Sequence, residues 1–144
     1  MNGATVKAYS LAKDGTKYLT KHFRVREFRC RDGSDPIFIA EGLPEVLEQI
    51  RSHFGKPATI SSAYRTATHN KKEGGSTYSR HLYGAAADIS VSGVPPLEVA
   101  KYADELLGNS GGVGLYKTFV HVDVRSTKYR FDNRSGREVA VRGF

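Results

Sequence analysis

A single cysteine among 144 residues leaves the chain without an internal disulfide framework or a cysteine-based metal cluster. Any bound metal is therefore expected on nitrogen and oxygen, and Cys30 itself reads as a small buried apolar residue. Long hydrophobic runs are also missing. No stretch approaches the roughly 20 apolar residues of a membrane span. Met1 to Lys21 is polar, with no basic segment leading into an apolar core, so no secretory leader is expected and export would need another route. Acidic residues are the minority: 15 against 22 Lys and Arg give a net charge of +7 and a pI near 9.6. That balance favours anionic partners such as nucleic acid, anionic lipid, or a wall bearing phosphate and carboxylate groups. Yet the basic residues are scattered from Lys7 to Arg142, with no interleaved basic and aromatic motif, so nucleic-acid binding is not expected. Internal repeats and low-complexity segments are lacking too. What remains is one globular, monomeric domain over residues 1–144, at 39% hydrophobic large enough to bury about two-thirds of its unfolded surface.

Residues 1–21 read as an N-terminal arm or short strand, with a turn at Lys13-Asp14-Gly15. His22 to Phe28 alternates partly, and Arg31 to Pro36 is loop chemistry. From Gly42 the period changes: Leu43, Leu47, Ile50 and Phe54 form one apolar stripe of a helix, with Glu45, Glu48 and Arg51 facing away. Gly55 and Pro57 end it, and His53 near that end suits the helix dipole. Thr59 to Tyr64 predicts a strand leading into Arg65, Thr66 to Gly75 a polar loop or short helical turn, and Ala85 to Val91 a strand carrying Asp88. A second helix opens at Val94-Pro95-Pro96, with Leu97, Ala100, Ala103 and Leu107 as its buried stripe and Gly108 as its cap. Val113 to Tyr116 and Phe119 to Val124 predict an antiparallel pair, and the tail over 126–144 a hairpin around Asp132 to Gly136. Strands and helices interleave, so the class is α+β, an antiparallel sheet with flanking helices.

Two stretches carry chemistry: S-R-H-L-Y-G-A-A-A-D from Ser79 to Asp88, and F-V-H-V-D-V-R from Phe119 to Arg125. His81, Asp88 and His121 are two imidazoles and a carboxylate, a donor set that suits zinc with a fourth position left for water. Gly84 lets the loop bearing His81 fold back over the strand bearing Asp88. Along the later strand Val120, Val122 and Val124 take one face and His121, Asp123 and Arg125 the other. That polar row is either one side of a cleft or a solvent-facing row of paired charges. His69, four residues after Arg65, either steadies its loop or meets substrate at a cleft edge. His22 matches no motif. Tyr64, Tyr78, Tyr83 and Tyr116 lie near the motifs and are candidates for lining a pocket or for packing.

The pattern S-x-H-x-x-G-x-A-x-D, together with Arg65, His69-Asn70, Gly74-Gly75, the G-G-V-G-x-Y run and F-V-H-V-D-V-R, resembles the zinc metallopeptidases of the D-alanyl-D-alanine carboxypeptidase type. Within them it is similar to the short single-domain branch met in phage and prophage lysis proteins. The likeness runs from about Phe23 to Arg125 and implies a hedgehog/D-Ala-D-Ala-peptidase-like fold. It implies cleavage of peptidoglycan stem peptides or crosslinks, as carboxypeptidase or endopeptidase, in cell-wall remodelling or phage lysis. The protein would be made in the cytoplasm and act on the bacterial wall. The resemblance makes His81, Asp88 and His121 ligands of Zn2+, and Arg65 the holder of a substrate carboxylate or of the developing oxyanion. Ser79, His69 and Arg125 become candidate substrate contacts. Many relatives carry an acid three residues before the last ligand or a histidine two before it, where this chain has Thr118 and Phe119. Asp123 is the substitute, as proton acceptor or as a partner orienting His121, with Glu73 a more distant alternative. The missing upstream acid also leaves room for a non-catalytic, zinc-containing wall-binding module.

Overall fold

In the computed structural model, which describes residues 5–144, the expected arm pairs as a strand; its first four residues lie outside the described part. Strand β1 (Val6–Ser10) runs antiparallel to β2 (Pro36–Ala40), with Val6 opposite Ala40. Between them stand a short helix α1 (Leu11–Asp14), capped by the Ser10 hydroxyl, and a 3₁₀ turn over Val25–Phe28. Local signals hide β2, which opens on Pro36, the last residue of a loop-like run; proline is tolerated at a strand's first position. Its alternation is nonetheless plain, with Ile37 and Ile39 buried and Phe38 turned outward.

Helix α2 (Leu43–Phe54) follows, ended by Gly55 in the left-handed conformation at φ 62°. Leu43, Leu47 and Ile50 are wholly buried, as their spacing predicts. Glu48 does not simply face away. Its carboxylate accepts from the His22 backbone N–H at 2.7 Å and lies 2.6 Å from the His22 ring, giving that histidine a clamp role. Next come β3 (Ala58–Ser62), α3 (Ala67–Lys72), β4 (Ala86–Val91) and α4 (Pro96–Leu107). The buried face of α4 is Val99, Ala100 and Ala103, while Leu97, expected inside, is 38% exposed. Val99, Ala100 and Ala103, one and four residues apart along the helix that opens at Pro96, share the face that meets the sheet. His53 stacks on Tyr102 of α4 at 3.7 Å and so joins the seam between the two long helices.

Strands β5 (Gly112–Leu115), β6 (Val120–Asp123), β7 (Tyr129–Asp132) and β8 (Val139–Ala140) complete a six-stranded sheet of order β3-β4-β6-β5-β7-β8. The sheet is mixed rather than wholly antiparallel, because the chain leaves β6, skips past β5 and returns parallel to it as β7. Helices α2 and α4 pack on each other and on β4, closing a core that includes Leu47, Ile50, Ile89, Val99, Val113 and Val122. The tail hairpin is docked. Arg130 is buried at 2% exposure, paired with Asp104 of α4, and donates to the carbonyls of Gly111 at 2.7 Å and Gly108 at 2.9 Å. Such full pairing is what allows a guanidinium to be buried at all. Among the described residues no helix is long and apolar enough to cross a membrane.

Candidate metal centre

Strands β4 and β6 pair antiparallel in a register that sets Asp88 directly opposite His121. Alternation sends Ala87, Ile89, Val120 and Val122 into the core and leaves Asp88, His121 and Asp123 on the other face. His81 arrives on a 3₁₀ turn over Arg80–Tyr83, capped at its start by the Ser79 hydroxyl, which accepts from the His81 N–H at 3.2 Å. Gly84 ends that turn at φ 67°, and a Cβ there would overlap the Phe38 carbonyl. Its own carbonyl accepts from Ala40 N–H at 2.9 Å, so the glycine seats the turn against β2.

The three side chains converge on one point. His81 Nε2 is 3.3 Å and His121 Nδ1 3.4 Å from the same oxygen, Asp88 Oδ1. Each ring is held by its other nitrogen: His81 Nδ1 donates to the Ala63 carbonyl at 2.7 Å, and His121 Nε2 lies 2.7 Å from Asp123 Oδ2. Those bonds leave the facing nitrogens as lone pairs. Asp88 Oδ1 is buried and has no hydrogen-bond partner. Three buried acceptors aimed at one another need a positive charge between them, and the donor set fits a zinc ion. Burial opposes ionisation of Asp88, but His121 and His81 outweigh it and hold the carboxyl below the usual range. Burial likewise opposes charge on His121, yet Asp123 and Asp88 raise its pKa to about 9. Proton and cation therefore compete for the same place.

Asp123 is wholly buried, and its carboxylate is full. Oδ1 accepts from the Arg125 backbone N–H at 3.1 Å and Nε at 2.8 Å; Oδ2 accepts from Arg125 Nη2 at 2.7 Å and from His121. Four donors occupy the roughly four lone-pair sites a carboxylate offers. Of the two roles expected for it, the geometry favours orienting His121. Gly112 stands opposite Asp123 across the β5–β6 ladder, and a Cβ there would overlap this carboxylate, which gives the G-G-V-G run a physical reason.

A cleft of about 730 Å³ opens over the triad. Arg65 lines it, with Nη2 3.6 Å from Asp88 Oδ2, and is braced by Ser62 Oγ at 3.0 Å and Asn70 Oδ1 at 3.2 Å. Ser79 and Arg125 also border it, as do Tyr78 and Tyr116; Tyr64 and Tyr83 do not. Burial and the nearby Asp88 charge push the Tyr116 phenol up to about 12. His69 does not line the cleft: it stands with Cys30 and Asp32, their ligand atoms within 4.8 Å of one another. Glu73 does face the cleft, and so do Tyr129, Asn133 and Glu138 of the tail hairpin, which sequence reasoning left without a role. The signal available for them was the hairpin pattern itself, which predicts a strand pair but not where it docks.

A family model described as Peptidase M15 matches residues 17–123. A probable peptidoglycan L,D-endopeptidase, MepK of Haemophilus influenzae, is 39% identical over 71 residues, which make up 44% of this chain and 37% of that protein. The chain thus matches little more than a third of the relative's length. The family match takes in His81, Asp88 and His121 with both strands and the turn that carry them, and this chain accordingly belongs to the Peptidase M15 family.

Proposed function

We propose that this protein hydrolyses amide bonds in peptidoglycan peptides, using a zinc ion held by His81 Nε2, Asp88 Oδ1 and His121 Nδ1. The observation that carries the reading is the partnerless, buried Asp88 oxygen facing two imidazole lone pairs at the floor of an open cleft. Zinc bound there would polarise the scissile carbonyl as a Lewis acid and bring the pKa of water towards 7.

The chain's own groups supply the rest. Arg65, its guanidinium fixed by Ser62 and Asn70, offers a fork of donors to a developing oxyanion or a substrate carboxylate. Asp123 and the Ala63 carbonyl keep the two imidazoles turned and in the required tautomer. Since Asp123 has no vacant lone pair, the proton acceptor is one of the two cleft carboxylates, Glu73 or Glu138. Tyr116, neutral at physiological pH, remains a hydrogen-bond donor to the bound peptide. The peptidase family and the printed activity of the Haemophilus relative support a wall peptide as substrate, and the net charge of +7 suits an anionic wall.

The test is digestion of purified cell walls with mass spectrometry of the released muropeptides. We expect turbidity to fall, the loss to stop with a chelator and to return with zinc. Loss of a single D-alanine would identify a carboxypeptidase and release of a longer fragment an endopeptidase; no released fragment with zinc present would leave only a wall-binding module. Glu73→Gln and Glu138→Gln separate the two acceptors, with the true one lowering kcat by roughly 10²–10⁴.

A further inference from the structure

The expectation that only nitrogen and oxygen hold metal covers the cleft but not a second cluster. Cys30, Asp32 and His69 offer one ligand atom each, all within 4.8 Å of one another. They come from two separate segments, the loop before β2 and the helix α3. Thr66 gathers them: its N–H points at Cys30 Sγ at 3.4 Å, and its hydroxyl donates to Asp32 Oδ2 at 2.8 Å while accepting from the His69 N–H at 3.2 Å. Cys30 is fully buried, Asp32 is open to solvent, and the His69 side chain is 13% exposed. A carboxylate, Glu73, stands 3.6 Å from His69 Nε2.

We propose that Cys30, Asp32 and His69 form a second cation site, separate from the cleft, for a borderline or soft divalent ion such as Zn2+ or Cd2+. Thiolate, imidazole and carboxylate together suit such ions and not the hard Mg2+ or Ca2+. Entry is from the Asp32 side, which faces solvent, and water completes the coordination. On binding, Cys30 gives up its thiol proton to solvent and its sulfur lone pair to the metal, so one proton leaves per ion bound. The site's position suggests what it does. It ties the loop after Cys30 to α3, and α3 carries Asn70, whose Oδ1 braces the Arg65 guanidinium on the cleft wall. An ion here therefore stiffens the wall that presents Arg65 without touching substrate.

Cobalt(II) titration of the full chain is the test, because its near-ultraviolet thiolate-to-metal charge-transfer band can arise only from the one cysteine. We expect two equivalents to bind, one of them bringing that band. Cys30→Ser removes the band and one equivalent. Asp32→Asn, an exposed change that keeps the sulfur, weakens that equivalent by about tenfold or more, the scale of metal-site losses. His81→Ala loses the other equivalent and keeps the band, so failure of the cleft site and failure of this one are told apart. A wild-type chain with no band overturns the proposal, as does a second equivalent that survives Cys30→Ser. Should Cys30→Ser fail to fold, the wild-type band and its weakening in Asp32→Asn decide the matter.

Discussion

Asp123 touches four donors and faces no open space, and its consequences follow from that alone. Asp123→Asn keeps the shape but removes the charge that fixes the His121 tautomer. We expect zinc affinity to fall by roughly 10- to 100-fold, read by competition with a chromophoric chelator. The pH dependence has a definite sign. Without metal, the pKa of His121 is raised from 6.5 to about 9, so the stability this proton contributes is fully present below the ordinary value and is lost as pH rises through about 9. Zinc needs that proton gone. Between pH 6.5 and about 9 its apparent affinity should rise with pH by about tenfold per unit, for one proton displaced. A flat zinc titration across that range would exclude His121 Nδ1 as the competing position.

At the scale of elements, the tail hairpin depends on one pair. Asp104 of α4 meets Arg130 of β7 and also accepts the Phe144 N–H at 2.9 Å. Asp104→Ala leaves a buried guanidinium without its counter-charge, and we expect a loss of roughly 3–5 kcal/mol in denaturant unfolding. This pairing was not readable in the sequence, since Asp104 and Arg130 look like ordinary surface charges on a helix and a short strand. What could be read was whatever has a local cause. The α2 stripe, the Gly55 stop, the β5–β6 pair and the alternation of Val120, His121, Val122 and Asp123 each follow from periodicity or turn chemistry. The three candidate ligands stood out by donor type and by the family resemblance, and the β4–β6 register with the Arg80–Tyr83 turn brings them together. Long-range choices were not legible: β1 finding β2, β7 lying parallel to β5, Leu97 outside and Val99 inside, and Glu138 reaching the cleft from the far end of the chain. Nothing in the neighbouring residues encodes them, because they are decided by which surfaces meet.

For the whole molecule, an ion that binds the folded chain alone adds stability by mass action. With free zinc at 100 times Kd the gain is about 2.7 kcal/mol, so the thermal midpoint should fall by several degrees when chelator is added and recover with zinc. His81→Ala should erase the share of that difference that comes from the ion in the cleft. The excess of basic charge should also make adsorption to walls weaken as salt rises, since exposed charges are screened within a Debye length of about 8 Å at physiological ionic strength. A chain cut after Arg125 would retain all three convergent donors, yet Tyr129 and Glu138 on the far bank of the cleft would be gone and β5 would be left with a bare edge. Such a fragment would keep the place for an ion and forfeit half of the groove above it.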